Sequence, residues 1–166
     1  GSDIAMVLDE CIPYPSPYEY AKASTSLTIR WAKKSLEQRQ ETDPALFAIV
    51  QGGMYQDLRE ESAQALVKMD FQGYAIGGVS VGEPKSLMRS VLEWTTPSLP
   101  ENVPRYLMGV GTPEDILDAV MLGIDLFDCV LPTRNARNVM LFTSMGKMSI
   151  KQAQYAEDER PIDETC

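Results

Sequence analysis

The chain has 166 residues, 44% of them hydrophobic and 8% aromatic, a globular composition with enough apolar mass for one compact core. It contains no histidine, which removes the Ser-His-Asp and Cys-His nucleophile schemes and the common His-rich metal sites, so any chemistry must rest on carboxylates, amides and backbone. A net charge of -9 excludes a surface that coats nucleic acid generally; RNA, if bound, must be bound locally. The one basic stretch runs from Pro132 to Lys151, with Arg134, Arg137, Lys147 and Lys151 and no acidic residue.

The elements follow in β/α alternation. A buried-strand pattern opens the chain at Ile4 to Leu8. Ser16-Pro17-Tyr18-Glu19 then supplies a cap residue, a proline at the first helical position and a glutamate behind it, and Tyr20, Leu27 and Trp31 fall on one helix face. Leu46 to Val50 reads as a strand and Tyr55 to Met69 as a helix with Leu58, Ala65, Leu66 and Met69 inward. Tyr74 to Gly77 is a third strand, followed by a helix from Pro84 to Trp94 with Leu87, Val91 and Trp94 on a common face. Arg105 to Leu107 is a fourth strand. Thr112-Pro113-Glu114-Asp115 repeats the capping device, Gly123 ends that helix, and Ile124 to Phe127 forms the fifth strand. The helical stripes are expected to be core.

Continuous rather than alternating apolarity predicts strands buried on both faces, hence a parallel sheet. Five β/α units are too few to close an eight-stranded barrel and enough for a doubly wound sheet. The chain opens directly into a strand and stops at Cys166 without a closing element, which favours part of a barrel. After Pro132 the pattern becomes an irregular polar segment (132–166) with hairpin-like pieces, Val139 to Thr143 and Lys147 to Ile150, around Ser144-Met145-Gly146. No linker sets it apart, so residues 1–166 are expected to form one partial domain. Cys11, Cys129 and Cys166 are an odd count at wide spacing and argue against a secreted disulfide framework. With no apolar run of the roughly 18 residues that cross a bilayer and no leader pattern, a soluble, cytoplasmic protein is expected.

Polar residues or glycines end every strand: Asp9, Gln51, Gly77-Gly78, Met108-Gly109 and Asp128. In parallel β/α folds the carboxyl ends of the strands build the site, so these residues are expected to converge. Each also has a structural alternative. Asp9 or Asp128 could equally cap a helix or form half of an ion pair, the glycines could simply turn the chain, and Cys11 and Cys129 suit small buried positions.

The run Phe127-Asp128-Cys129-Val130-Leu131-Pro132-Thr133-Arg134-Asn135-Ala136-Arg137-Asn138 resembles the signature of the tRNA-guanine transglycosylases, the queuine tRNA-ribosyltransferase family. Asp9-Glu10-Cys11, Ile49-Val50-Gln51-Gly52, Gly73 to Glu83 and Tyr106 to Gly111 extend the resemblance in order along essentially the whole chain. It implies part of a (β/α)8 TIM barrel followed by the start of a zinc-binding insertion. It implies exchange of guanine at the anticodon wobble position of tRNA for 7-aminomethyl-7-deazaguanine, in queuosine biosynthesis, through a covalent aspartyl-ribosyl intermediate. Asp128 then corresponds to the nucleophile, in the manner of a retaining glycosidase, and the proton-handling aspartate lies upstream of this chain.

The resemblance further implies that Asp9 reads the base edge, that Gln51 and the Gly78 amide donate to its O6, that Val79 lies at the base and that Met108 stacks on it. Gly109, Val110, Gly111, Thr112, Pro113, Glu114 and Asp115, together with Thr133, Arg134, Asn135, Ala136 and Arg137, correspond to segments that contact the anticodon loop, where unstacked bases are accessible. Cys166 corresponds to the first cysteine of a structural zinc site whose remaining ligands are not in the chain. The family usually forms homodimers, and this segment alone is expected to be inactive. Val81 and Cys11 match the bacterial type, Ser80 looks more like the eukaryotic one, and Val139 stands where glycine is usual. The competing possibilities are a non-catalytic tRNA-binding partner subunit, which has no need of Asp128, Asp9 and Gln51 together, and an unrelated carboxylate-dependent barrel hydrolase.

Overall fold

The computed structural model describes residues 1–163 and divides into two compact units, Gly1–Asp128 and the residues from Cys129 onward. The first unit is an α/β fold. Strands β1 (Ile4–Met6), β2 (Ala45–Val50), β3 (Gly73–Ile76), β4 (Arg105–Leu107) and β5 (Leu126–Phe127) form one parallel sheet in sequential order. Helices α1 (Tyr18–Gln38), α2 (Gln56–Val67), α3 (Lys85–Thr95) and α4 (Pro113–Met121) alternate with them, and each packs against the next. Strand order that follows chain order, with neighbouring helices in contact, is the arrangement of part of a TIM barrel and departs from the reversed order of a doubly wound sheet.

The inner strands β2 and β3 are buried almost throughout, as expected of a parallel sheet, whereas the outer strands β1 and β5 are partly exposed because each has a neighbour on one side only. The core gathers Leu46, Ala48, Val50, Leu66, Tyr74, Ile76, Val91 and Leu107 between sheet and helices. The register aligns Val50 with Ile76, Ile76 with Leu107 and Leu107 with Phe127. The next residue in each strand therefore stands at one level and on one face: Gln51, Gly77, Met108 and Asp128. Among the described residues no helix is long and apolar enough to cross a membrane.

Local chemistry accounts for most boundaries. At α4 the capping box forms as expected: the Asp115 N–H donates to the Thr112 hydroxyl, while the Thr112 N–H donates to the Asp115 carboxylate at 3.0 Å. Gly123 beyond it adopts φ 88°, the left-handed turn that closes the helix. The box predicted at Ser16 does not form. The Ser16 hydroxyl turns back to donate to the Pro13 carbonyl, and α1 begins after Pro17 without a side-chain cap.

The buried face of α1 also differs from the expected one. Tyr20 is exposed and Leu27 and Trp31 only half-buried, while Ala21, Ser24, Thr25, Thr28 and Ala32 are inward. Two of those small residues anchor the loop after β1: the Glu10 N–H donates to Thr28 Oγ1 at 3.0 Å, and the Ser24 hydroxyl donates to the Glu10 carbonyl at 3.3 Å. A bulky stripe would have filled the space that these bonds need.

The second unit begins with a short helix, α5 (Leu131–Arg137), where an irregular segment was expected. Pro132 lies in its first turn, where a missing N–H costs nothing, so the residue that suggested a break starts a helix. Strands β6 (Met140–Thr143) and β7 (Gly146–Ser149) then form the expected antiparallel hairpin, with Leu141 opposite Met148 and Gly146 at φ 107° in the turn. Between helix and hairpin, Val139 sits at φ 55°. That region is sterically costly for a β-branched residue, by about 1–2 kcal/mol. Val139→Gly should therefore slow hydrogen exchange of the Met140–Ser149 amides by severalfold in the full-length protein, despite glycine's greater unfolded-state entropy. Faster exchange would show that Val139 is not strained.

Candidate active site

The carboxyl ends of the five strands carry two polar clusters. In the first, Asp9 follows β1 on the loop anchored by α1, and its Oδ2 accepts a 2.7 Å bond from Gln51 Nε2. Gln51, at the end of β2, is 2% exposed, and its Oε1 has no hydrogen-bond partner among the described residues. The side chain lies flat against the end of β3. A Cβ on Gly77 would come within 2.6 Å of Gln51 Nε2, and one on Gly78, itself at φ 65°, within 2.3 Å of Gln51 Oε1. The glycine pair is thus required first of all by the glutamine beside it. Gln51 was expected to donate to a base; in the structure its amide holds Asp9.

In the second cluster Asp128 stands exposed just past β5. Its Oδ1 accepts from the Tyr106 hydroxyl at 2.6 Å and from the Gly109 N–H at 2.8 Å. Both donors fall on one oxygen, and Oδ2 has no hydrogen-bond partner among the described residues. The alternation of β4 puts Tyr106 on the same face as Met108 and Asp128, so the geometry follows from the register. Burial, and then the bond to Asp128, push the Tyr106 phenol up to about 12.

Behind the first cluster lies Arg59 of α2, fully buried. Its Nε donates to the Gly53 carbonyl at 2.8 Å, its Nη1 to those of Val50 and Gly77 at 3.0 and 2.7 Å, and its Nη2 to that of Gly78 at 3.3 Å. Burial draws the guanidinium down to about 10, opposed through space by Cys11 and Glu83, so it remains a cation at neutral pH. Glu83 closes the following loop by accepting from the N–H groups of Ser80 and Val81. A cavity of about 220 Å³ opens beside Gly78, walled by Ile12, Tyr55, Val81 and Leu87. Larger cavities lie elsewhere: about 650 Å³ at the amino ends of the strands near Arg105, and about 660 Å³ in the hairpin unit.

The other expected residues take varied places. Val79 is in the core at 5% exposure, leaving only its backbone for contact, and Met108 is half-buried against that core. In the segment after β4, Val110 and Thr112 are buried and Asp115 is held by Lys85 Nζ at 2.6 Å, so Gly109, Pro113 and Glu114 form its outer surface. Position 111 takes glycine because a Cβ there would strike the Asp115 side chain at 2.9 Å. In the second unit Thr133, Arg134, Ala136 and Arg137 are exposed on α5 and Asn135 is half-buried; neither arginine side chain has a partner among the described residues. Cys166 lies outside the described residues, among which no group of three or more His, Cys, Asp or Glu is arranged to hold a metal ion.

Residues 1–166 match the sequence model of the family described as queuine tRNA-ribosyltransferase. The chain belongs to this family. It is 60% identical, over its whole length, to a queuine tRNA-ribosyltransferase of Caldanaerobacter subterraneus subsp. tengcongensis, covering 44% of that relative. Identity is 58%, at the same coverages, to the proteins of that name from Bacillus velezensis and Listeria monocytogenes. The chain therefore spans under half the length of the curated relatives that it matches.

Tyr106, Arg59, Glu83 and Lys85 of this family member were not singled out from sequence. Arg59 carried a signal, since it shares the helical spacing of Ser62, Ala63 and Leu66, all buried. The Tyr106–Asp128 bond is measurable by titration. In full-length protein, Asp128→Asn should lower the Tyr106 pKa from about 12 and leave it above 10, because burial is the larger cause, as read by phenolate absorbance against a Tyr106→Phe reference. The raised value also fixes a stability window. Between pH about 10 and 12 the folded state keeps a proton that the unfolded chain has released, so stability falls as pH rises through that interval. No change in Tyr106 titration on replacing Asp128 would contradict the coupling.

Proposed function

We propose that the protein of which this chain is part is a tRNA-guanine transglycosylase. It would exchange guanine at the anticodon wobble position for 7-aminomethyl-7-deazaguanine, with Asp128 as the nucleophile. The observation that carries this reading is the state of Asp128: an exposed carboxylate at a strand's carboxyl end, one oxygen fixed by Tyr106 and Gly109 and the other free. Two donors on Oδ1 orient the group without blocking Oδ2, which is what attack on a sugar carbon requires. Family membership and the ordered motifs support the substrate assignment.

In this scheme Asp128 Oδ2 bonds to the ribose C1′ as the C1′–N9 bond breaks. The electron pair leaves with guanine N9, which takes up a proton. The incoming base then attacks C1′ through its own N9, loses that proton and displaces the carboxylate, so the bond to tRNA is remade with retention. The aspartate that handles the protons belongs upstream of this chain by resemblance. The Asp9 carboxylate, held by Gln51, accepts from the N1–H and exocyclic amine of the base, and the Gly78 N–H donates to O6. Gln51 acts through Asp9, with its second amide hydrogen left for the base. Val79 contributes its backbone, and Met108 the stacking surface.

Cys11 and the side chain of Val81, which narrows the cavity beside Gly78, support a small 7-substituent. Arg134 and Arg137, exposed and without a side-chain partner among the described residues, suit phosphates or bases of the anticodon loop; Thr133, Asn135 and Ala136 of the same helix and, in the first unit, the Gly109–Asp115 segment are further contacts by resemblance. A cytoplasmic homodimer with a structural zinc ligated by Cys166 completes the proposal; this part rests on resemblance alone and contributes no chemical step. A binding-only subunit is disfavoured by the arrangement at Asp128, which serves no purpose in mere docking.

The test uses a full-length enzyme carrying this segment. Asp128→Asn should reduce incorporation of labelled guanine into tRNA by roughly a thousandfold or more while leaving tRNA binding within a few-fold. Retained incorporation would overturn the assignment.

A further inference from the structure

We infer that Arg59 is a positioning residue for base recognition: from behind the sheet it sets the direction of the Gly78 N–H. This rests on the proposed function and extends it to a residue that touches no substrate.

The Gly77 carbonyl and the Gly78 N–H belong to one planar trans peptide, so their directions are opposed. Arg59 Nη1 holds that carbonyl at 2.7 Å, the shortest of the guanidinium's bonds. The Gly78 N–H must then point away from Arg59. The Gly78 backbone in turn draws down the thiol of Cys11, which partial desolvation and then Asp9 push up, although the residue is exposed where a small buried position was expected. Gln51, whose side chain lies against Gly78, holds Asp9, so the base-reading carboxylate stands beside this peptide.

Three further features make the orientation depend on the arginine. Glycine at 78, with φ 65°, has wide conformational freedom, and Gly77 before it adds more. Nothing on the strand ladder fixes this peptide: the Gly77 N–H is bound to the Val50 carbonyl, and β3 ends at Ile76. Arg59 also takes the Gly78 carbonyl and those of Val50 and Gly53, so one rigid planar cation ties the peptide to the end of β2. A cation on the carbonyl polarises the whole peptide and strengthens its N–H as a donor. The buried position keeps water from competing for either end.

The experiment compares wild type, Arg59→Lys and Arg59→Gln in a full-length enzyme carrying this segment. Inhibition of labelled-guanine exchange is measured with 7-deazaguanine and with 2-amino-7-deazapurine, which lacks the 6-oxygen. Wild type should prefer the 6-oxo base by on the order of tenfold or more, the worth of one well-made hydrogen bond. The variants should lose most of that preference with the KM for tRNA unchanged, and in Arg59→Lys, which keeps the positive charge that also draws the Cys11 thiol down through space, the pH profile of Cys11 alkylation, read by peptide mass spectrometry, should shift upward as its N–H donor turns away. A folded variant that weakens both bases equally, or leaves the Cys11 profile unmoved, overturns the inference and leaves Arg59 a packing residue. Failure of both variants to fold also overturns it, because the arginine then serves the fold as a whole. Wild type without guanine exchange would instead sink the proposed function.

Discussion

A buried guanidinium that forms no ion pair among the described residues is the constraint on which the rest of this structure turns. Removing Arg59 from water is costly, and that cost is offset here chiefly by backbone dipoles, the carbonyls of Val50, Gly53, Gly77 and Gly78, with Cys11 and Glu83 acting through space. The carbonyls of Gly77 and Gly78 lie just past β3 and that of Gly53 just past β2, while that of Val50 also accepts from the Gly77 N–H. The cation and the strand ends therefore complete each other. Helix α2 becomes the internal wall of the site, although its outer residues give no hint of it.

From that wall the site extends along the sheet by register. Because Val50, Ile76, Leu107 and Phe127 stand in one row, the residues after them emerge at one level and on one face without any special loop. Two clusters result, Asp9 with Gln51 and Asp128 with Tyr106, each a carboxylate held through one oxygen. The common logic is to spend one lone-pair face on the protein and leave the other for a ligand. With no histidine in the chain, orientation by amide, phenol and backbone replaces orientation by imidazole.

Much of this was legible in the sequence because it is local. Apolar runs bounded by polar residues marked all five strands, and β4 fell on Arg105 to Leu107 as read. Thr112 to Asp115 announced a capping box that forms, since its partners lie within one turn. What failed depended on context that residue type alone does not show. Ser16 offered the same local chemistry as Thr112, but the proline-rich loop offered it the Pro13 carbonyl instead. Pro132 reads identically as a helix breaker or a helix starter until its context is known. Strand ends named Asp9, Gln51 and Asp128 as candidates, whereas Tyr106 and Arg59 act through partners 22 and 18 residues away and across the sheet. The roles given to those candidates came from family resemblance; the geometry supplies the means and leaves the chemistry to experiment.

The hydroxyl-lined face of α1 has a consequence for how such a protein tolerates change. Ser24 and Thr28 join the helix to the Glu10 backbone, one residue beyond Asp9. Thr28→Val would keep the helix's shape and most of its packing while orphaning the Glu10 N–H. Order at the Asp9 loop could then decay while the melting temperature barely registers it. Two ledgers run through one helix face, one for global stability and one for local order, and a screen that reads only the first would miss sequence drift in the second.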